Sequence, residues 1–429
     1  MSTATHDDRL VAILLCSDLA GSRGAVRSGK PLSATQWHTL VAKLSGSAWS
    51  QPSGLLGQSA AAIERTLAIK PESAERVSRL LECGGQAAIE LERLAAAGIW
   101  TLTEFDTPYP TRLRQRLGAQ APPVLFGAGA VTRLNNDSVA VVGSRHVEID
   151  GGAFAHTLGA LCQADGLTVV TGAARGVDGL AMHACLARGG TAVGIVAGGL
   201  ESMVREPAIS RYIRDERLVL MTAVHPAVHF HAGNAMARNK LIYGCAELAI
   251  VVASAVESGG TWAGAVENLK HGWVPLFVRN GTDVPAGNHA LLQRGAFPLS
   301  LETLPPVGAL LPGLFAQAGH PLPRGSGQEG HTSTDAATAP PALQAAPEPT
   351  ASDPSPAAHL PTGDLFPVVW PSLAALLAEP RLEREVAAAF AQQPAQVKAW
   401  LARAVAEGRA EAIVVKGRRT YQTPRARLL

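Results

Sequence analysis

The sequence predicts an α/β protein built on a parallel β-sheet, with a helical segment before the sheet and a smaller domain after it. Three observations lead to this fold class. Up to about residue 105, apolar residues recur at helical spacing. Between Val139 and Val278, short β-branched runs alternate with helical segments, which is typical of a parallel sheet covered by helices on both faces. Further along, two helical patterns precede a strand–turn–strand pattern.

The segment 1–105 is predicted to be a small helical domain of the sterile-alpha-motif or helix-hairpin-helix kind. In Ala74–Leu81 and Ala87–Leu94, apolar residues lie three and four positions apart. Each of these helices would therefore have one apolar face to bury.

The segment 106–317 is predicted to form the sheet domain. Its apolar runs are continuous and short, as expected for strands that are buried on both faces. The six predicted strands are Val139–Val142, Leu167–Val170, Thr191–Val196, Leu218–Met221, Leu248–Val252 and Pro275–Val278.

Residues 318–363 are dominated by Pro, Ala, Ser, Thr and Gly. Such a segment cannot bury enough apolar surface to offset the entropy of ordering, so we predict a disordered linker. After it, Leu382–Phe390 and Ala395–Glu407 are predicted helices, and Ala412–Tyr421 is a strand–turn–strand candidate. Two helices and a β-wing in this order predict a winged-helix-like domain over 364–429.

The overall charge does not argue for a nucleic-acid partner. The 429 residues contain 37 Lys and Arg against 35 Asp and Glu, which gives a formal net charge of +2. A chain so close to charge balance can bind a polyanion only where positive potential is gathered into a local site.

The five cysteines are widely spaced and include no C-x-x-C pair, so we expect neither a zinc site nor a redox motif. The apolar stretch Val11–Cys16 is far shorter than the roughly 20 residues that a membrane span needs. It also lacks the basic region and cleavage site of a signal peptide. We therefore expect a cytoplasmic protein without membrane contact.

Three predicted strands lead into turns of small and polar residues. The turns are Gly143–Arg145, Thr171–Asp178 and Glu257–Thr261. In an open parallel sheet, ligands collect at the carboxyl ends of the strands, so the turns should converge on one edge. Glycine allows close approach of the main chain, and amides at the start of the next helix can bind phosphate. With Arg145 and Arg175 beside them, these turns predict a phosphate-binding pocket.

The spacing of these turns leaves the ligand open. A glycine after a strand often serves only the geometry of the turn. The turns match neither G-x-G-x-x-G nor G-x-x-x-x-G-K-[ST], which argues against a dinucleotide or P-loop site. We expect no bound cofactor.

Arg238, Asn239 and Lys240 open a helical segment just before the fifth predicted strand. Two cations that flank an amide suit contacts to a phosphate backbone, although a solvated helix face is the alternative. The nearby His225, His229 and His231 have no supporting carboxylate pattern, so we interpret them as loop residues and expect no metal site.

Read in order, these segments are similar to the DprA/Smf DNA-processing family. The resemblance covers about residues 90–300. The matching blocks are Asp106–Pro110 with Arg112 and Leu113, Pro122–Phe126, Val141–Arg145, Thr171–Asp178 with Ala181–His183, Ala197–Leu200, Ala237–Ile242 and Glu257–Thr261.

The resemblance implies an extended Rossmann-like fold, a homodimer, and a DNA-binding protein that is not an enzyme. Such a protein binds and protects incoming single-stranded DNA and delivers it to the RecA recombinase during natural transformation. The arginines and Lys240 would bind phosphates, the glycines and Ser144 would offer donors, and Asp178 would orient Arg175 or its turn. The implied DNA-binding residues are Gly143, Ser144, Arg145, Gly172, Arg175, Gly176, Asp178, Arg238, Asn239, Lys240, Ser258, Gly259, Gly260 and Thr261.

The chain departs from the family pattern in front of Arg238. Ala235 and Met236 stand where the family commonly has Phe-Pro, and Lys240 replaces an arginine. An aromatic ring at that position would offer a base-stacking surface worth about 1–3 kcal/mol per base. Affinity or base preference is therefore expected to differ, and a role in DNA maintenance or in defence against mobile elements stays open.

Two other functions compete with this interpretation. Ser258–Thr261 and Glu267 distantly resemble the P-G-G-x-G-T-x-x-E loop of nucleotide phosphoribohydrolases, but the leading Pro and the spacing differ. A transcription regulator acting through a basic C-terminal segment is the second alternative. The basic residues of that segment are Lys416, Arg418, Arg419, Arg425 and Arg427.

Overall fold

The computed structural model describes residues 6–19, 29–321, 370, 373–374, 376–389, 394–415 and 418–423. The chain divides into two compact units, Met1–Thr332 and Ser333–Leu429. The predicted segments 1–105 and 106–317 both fall within the first unit, and the boundary between them stays a prediction.

Five helices open the first unit, and the capping box of the second shows how the sequence starts one. The Oγ of Ser33 accepts a hydrogen bond from the amide of Gln36, and Oε1 of Gln36 accepts one from the amide of Ser33. The helical runs predicted around residues 74–94 are confirmed. The helices are α1 (His6–Cys16), α2 (Ala34–Ser45), α3 (Ala60–Leu67), α4 (Pro71–Leu81) and α5 (Gly84–Ala96).

A nine-stranded sheet follows, in the order β1-β2-β6-β5-β4-β3-β7-β8-β9. All six predicted strands are confirmed as β3–β8. The strands are β1 (Trp100–Thr103), β2 (Val124–Ala128), β3 (Ser138–Val142), β4 (Thr168–Thr171), β5 (Ala192–Ile195), β6 (Leu218–Thr222), β7 (Leu248–Val251), β8 (Leu276–Arg279) and β9 (Phe297–Leu299).

The sheet is not wholly parallel, which corrects the prediction. β2 runs antiparallel to both of its neighbours, β1 and β6. The remaining neighbours, in the spatial order β6-β5-β4-β3-β7-β8-β9, all pair in parallel. The sheet also begins at Trp100, inside the segment predicted to be purely helical. β1 is only four residues long and two of them are Thr, so it lacks the continuous apolar run that indicates the other strands.

Helices cover both faces of the sheet, because successive side chains of a strand point to opposite faces. Val139 and Val141 of β3 share one core with the N-terminal helices, including Val11 and Leu94. Ala140 and its even-numbered neighbours pack on the other face. The remaining helices of this unit are α6 (Thr111–Leu117), α7 (Ile149–Ala164), α8 (Val177–Ala187), α9 (Leu200–Met203), α10 (Pro207–Arg214), α11 (Ala232–Cys245), α12 (Gly259–His271), α13 (Ala286–Gln293) and α14 (Leu310–Gln317).

The strand order reverses at β3, which defines where a ligand site can form. The chain adds β4, β5 and β6 on one side of β3 and then crosses to place β7 on the other side. A crevice opens at the carboxyl ends of strands at such a switch point. The turns after β3, β4 and β7 all leave the sheet at this edge.

The second unit contains α15 (Glu383–Ala389), α16 (Pro394–Ala406) and a hairpin of β10 (Glu411–Val415) with β11 (Arg418–Gln422). The predicted helices and hairpin are confirmed, whereas the winged-helix assignment stays a prediction. Most of the predicted linker, 322–363, lies outside the described residues, as do Lys416, Arg425, Arg427 and the side chains of Arg418 and Arg419. Within the described ranges, no helix is both long and apolar enough to span a bilayer.

Candidate nucleic-acid interface

The first two glycine-rich turns meet at the carboxylate of Asp178. This side chain is buried at the start of α8. Its Oδ1 accepts a hydrogen bond from the amide of Gly143 (3.2 Å), and its Oδ2 accepts one from the amide of Gly172 (2.9 Å). One carboxylate therefore joins the turn after β3 to the turn after β4. Because both glycine amides are satisfied within the protein, these two donors are not free for a ligand.

Close packing also holds these two turns together. A Cβ atom on Gly143 would lie 2.5 Å from Cγ2 of Val177. Gly176 has a φ of +80°, and a Cβ there would collide with the carbonyl oxygen of Ser144. That same oxygen accepts a hydrogen bond from the amide of Val177 (3.2 Å). Glycine is required at both positions because the two turns approach each other.

Arg238 on α11 reaches the second turn. Its guanidinium occupies the space that a Cβ on Gly172 would fill. Burial lowers the pKa of Arg238, the nearby charge of Arg145 lowers it further, and the carboxylate of Asp178 opposes both effects. Its Nε and Nη1 atoms are buried and have no hydrogen-bond partner among the described residues. Arg238 thus brings a charge, partly balanced by Asp178, to the meeting point of three motifs.

Asn239 connects α11 to the third turn. Its Nδ2 donates a hydrogen bond to the carbonyl oxygen of Gly260 (2.8 Å). Where β7 leads into this turn, the carbonyl oxygen of Ala253 accepts a hydrogen bond from the amide of Ser144 (2.9 Å). The contacts therefore join all four predicted motifs in series, and the segment between β7 and the third turn also contacts the first turn. We call this set the turn cluster, and it comprises residues 143–145, 172–178, 238–239 and 257–261.

Two arginines on the turn cluster are exposed to solvent, and an aromatic ring lies beside one of them. Arg145 and Arg175 both have exposed side chains. Cζ of Arg145 is 4.8 Å from the centroid of the Phe230 ring, within the range of a cation–π contact. Both cations can therefore reach an anionic ligand in solvent.

Lys240 is not brought to the turn cluster by its side chain. Its Nζ donates a hydrogen bond to Oε1 of Gln120 (3.2 Å), in the short helical turn after α6. Burial lowers the pKa of Lys240, and the charge of Glu267 opposes that shift. The ammonium group is therefore engaged elsewhere, and its phosphate contact stays a prediction.

The start of α12 supplies free donors. Ser258 is the N-cap residue, and its side chain makes no capping hydrogen bond. The amides of Gly259, Gly260 and Thr261 lie in the first turn, where a helix offers no acceptors of its own. A helix N-terminus of this kind favours an anionic group such as phosphate.

Two residues of the turn cluster other than glycine have left-handed backbone conformations. They are Ala173, with a φ of +49°, and Glu257, with a φ of +51°. Such conformations cost free energy and persist only where surrounding structure fixes them. Glu257 is also exposed and acidic, so it opposes binding of an anion at the third turn.

Phe230 is the residue that sequence reasoning missed. It lies between His229 and His231 in the loop from β6 to α11, and only the histidines of that loop carried a signal. Two of the histidines have structural roles: Nε2 of His225 lies 3.1 Å from Oε1 of Glu90, and Nδ1 of His231 accepts a hydrogen bond from the first turn of α11. In the part of the chain that the structure describes, no group of three or more His, Cys, Asp or Glu could hold a metal ion.

Comparison with known sequences identifies the family. The profile of the family described as DNA recombination-mediator protein A matches residues 100–303. A DNA processing protein DprA from Streptococcus pneumoniae is 30% identical over 201 residues, which cover 45% of this chain and 68% of that protein. This chain belongs to the DprA family.

Two further comparisons describe the extent of the similarity. A DprA from Mycobacterium tuberculosis is 30% identical over 230 residues, which cover 49% of this chain. The chain spans 58% of the length of that relative. An X-ray structure of the S. pneumoniae DprA aligns with 62% of this chain and 95% of that chain at 21% identity, with a TM-score of 0.48. The region matched by the family profile, residues 100–303, includes every residue of the turn cluster.

Proposed function

We propose that this DprA-family chain binds single-stranded DNA on the turn cluster. The observation that carries the proposal is the series of contacts that joins the four motifs at the switch point of the sheet. It gathers Arg145, Arg175 and Arg238 at one edge of a protein whose net charge is only +2. Local concentration of positive charge is what a nearly neutral protein needs in order to bind a polyanion.

The kind of contact favours the nucleic-acid backbone. Guanidinium groups and the first-turn amides of α12 bind phosphate oxygens, which position a strand without reading its sequence. The turn cluster consists of turns and helix N-termini, whereas sequence reading in duplex DNA uses side chains inserted into the major groove. A flexible single strand can adapt its phosphate spacing to such an edge.

We further propose that the bound strand is delivered to a RecA-type recombinase, and that the protein acts as a cytoplasmic homodimer rather than as an enzyme. The description of its family as a recombination mediator supports this role. Recombination during natural transformation, DNA maintenance or defence would each use the same strand transfer. We expect that adding this protein speeds ATP hydrolysis by RecA on single strands that are already coated with single-strand-binding protein. An unchanged rate of hydrolysis would contradict the delivery step.

The binding proposal is tested by fluorescence anisotropy with a labelled 20-nucleotide single strand and the matching duplex, each at two salt concentrations. We expect tighter binding of the single strand. Replacing Arg145 with Ala should weaken binding and reduce the salt slope by about one unit, because one phosphate contact is lost. Lys240→Ala should change the slope less, because Nζ already donates to Gln120.

Arg211→Ala is the matched control, since this arginine is exposed on α10 and outside the turn cluster. An Arg145 variant with the same salt slope as the unchanged protein would reject the assigned contact. Preference for a duplex sequence would favour the transcription regulator. Release of free base from nucleoside monophosphates would favour the phosphoribohydrolase and overturn the binding role.

A further inference from the structure

Phe230 is an exposed aromatic side chain that lies directly on the turn cluster. Its relative exposure is 54%, and Cζ of Arg145 is 4.8 Å from its ring centroid. Single exposed hydrophobic residues are common on protein surfaces, so exposure alone carries no meaning. What distinguishes this residue is its contact with the exposed cation of the first turn.

The loop that carries Phe230 is fixed at its start. His225 is buried and its Nε2 lies 3.1 Å from Oε1 of Glu90 on α5. The amide of Ala227 donates to Nδ1 of His225 (3.2 Å), and the amide of Val228 donates to its carbonyl oxygen (2.9 Å). A buried histidine therefore organises the backbone that leads to the aromatic residue.

The same loop is fixed on either side of Phe230. The carbonyl oxygen of Val228 accepts a hydrogen bond from the amide of Gly199 (2.6 Å). A Cβ on Gly198 would lie 2.7 Å from the carbonyl oxygen of His229, so the two backbones are in close contact. On the other side, Nδ1 of His231 accepts a hydrogen bond from the amide of Gly233 (3.0 Å) and caps α11. The chain on both sides of the exposed ring is therefore anchored by the protein itself.

We propose that Phe230 is a base-stacking residue of the single-strand site, with Arg145 as its phosphate-binding neighbour. This inference rests on the proposed function. Neighbouring bases in DNA are spaced about 3.4 Å apart, so a base between the guanidinium and the ring would need roughly 7 Å. The 4.8 Å between Cζ of Arg145 and the ring centroid leaves no room for one. The base therefore packs on the exposed surface of the aromatic ring, and the guanidinium on its other side contacts an adjacent phosphate.

This arrangement supplies a stacking surface to a chain that lacks one in front of Arg238. Ala235 and Met236 of α11 carry no aromatic ring. Phe230 reaches the turn cluster from the preceding loop instead. Stacking on a single aromatic residue tolerates every base, because each base has a π-face.

The test compares Phe230→Ala with Phe230→Tyr and Phe230→Leu in the full chain, by anisotropy with a 20-nucleotide oligothymidine. Loss of the ring in the Ala and Leu variants should weaken binding about 5- to 150-fold, while the Tyr variant keeps it. The salt slope should stay unchanged, because no phosphate contact is removed. The control is Val307→Ala, because Val307 is also an exposed apolar residue. It lies away from the turn cluster: the amide of the adjacent Gly308 donates to Asp165 at the opposite edge of the sheet.

An abasic oligonucleotide of the same length isolates the base. The inference requires that Phe230→Ala and the unchanged protein bind it equally, and that 5-iodouracil in a bound strand cross-links to residue 230. The inference is overturned if Phe230→Ala binds oligothymidine within twofold of the unchanged protein, or loses affinity for the abasic strand to the same extent. Failure of the unchanged protein to bind any single strand would instead overturn the proposed function.

Discussion

At the residue scale, Asp178 has the largest structural role in the site. Its carboxylate receives the amides of Gly143 and Gly172 and lies beside Arg238. Burial raises the pKa of Asp178 from 3.8 to about 6, and the charge of Arg238 and the backbone hydrogen bonds only partly offset that effect. Ionisation of this carboxyl group is therefore less favourable in the folded protein than in the unfolded chain. Its contribution to stability is fully present below pH 3.8 and is lost as the pH rises through about 6.

This raised pKa predicts that single-stranded DNA binds more tightly at lower pH. Protonation of Asp178 removes one negative charge from the turn cluster, so binding of a polyanion should be accompanied by proton uptake. Between pH 7.5 and pH 5.5 we expect an increase in affinity of about fivefold, which corresponds to ~1 kcal/mol. Anisotropy titrations at both pH values and constant ionic strength measure this change in affinity.

Asp178→Asn serves as the control, because histidines elsewhere also gain protons in this range. The variant should bind at pH 7.5 nearly as tightly as the unchanged protein binds at pH 5.5. Thermal melts of both proteins would show whether the loss of one amide acceptor alters the fold. An equal pH dependence in the two proteins would exclude Asp178 as its source.

At the scale of elements, the glycines of the turn cluster serve contacts between turns. Sequence reasoning assigns them to close approach of a ligand. In the structure, Gly143 accommodates Val177, Gly172 accommodates Arg238, and Gly176 accommodates the backbone of Ser144. The donors left for a ligand lie instead at the start of α12 and on the arginines. The turns therefore build the site mainly by packing on one another.

Gly176→Ala should destabilise the protein and separate the first two turns. Its φ of +80° disfavours a side chain, and a Cβ would collide with the carbonyl oxygen of Ser144. We expect a loss of roughly 1–3 kcal/mol in the free energy of unfolding, measured by urea denaturation, together with weaker binding of single-stranded DNA.

Gly85→Ala is the matched control, because this glycine lies in α5 and a Cβ there would meet no atom within 4 Å. That change should be neutral or stabilise the helix by up to about 1 kcal/mol. If both substitutions leave the unfolding free energy unchanged, close packing of the two turns is not a source of stability.

At the scale of the whole molecule, all four motifs of the turn cluster belong to the unit Met1–Thr332. The second unit has its own small core, in which Val386, Leu401 and Tyr421 are buried. Binding of single-stranded DNA and any contact made by the second unit are therefore expected to be separable.

A chain that ends at residue 332 should bind single-stranded DNA within about twofold of the full chain and with the same salt slope, since every assigned phosphate contact is retained. Anisotropy with the 20-nucleotide strand measures both quantities. A duplex-binding activity that disappears on truncation would assign that activity to the second unit. A large loss of single-strand affinity would show that the second unit contributes to the proposed site.

Much of the fold follows from the sequence because its signals are local. β-branched runs and helical periodicity predicted six strands and the helices at residues 74–94, and both are confirmed. The carboxyl ends of parallel strands share an edge, so the convergence of the turns at Gly143, Gly172 and Gly260 also follows from strand order. Strands β1 and β2 were not predicted. β1 is short and half of its residues are Thr, and β2 pairs antiparallel with β6, a strand far away in the chain.

The sequence by itself determined the α/β class, the glycine-rich turns and the family. Only the tertiary structure decided which groups those residues contact: Asp178 with the amides of Gly143 and Gly172, Lys240 with Gln120, and Phe230 with Arg145. The physical reason is that periodicity and turn chemistry are set by neighbours within a few positions. The direction of a side chain, and the partner it reaches, depend on how segments far apart in the chain pack together.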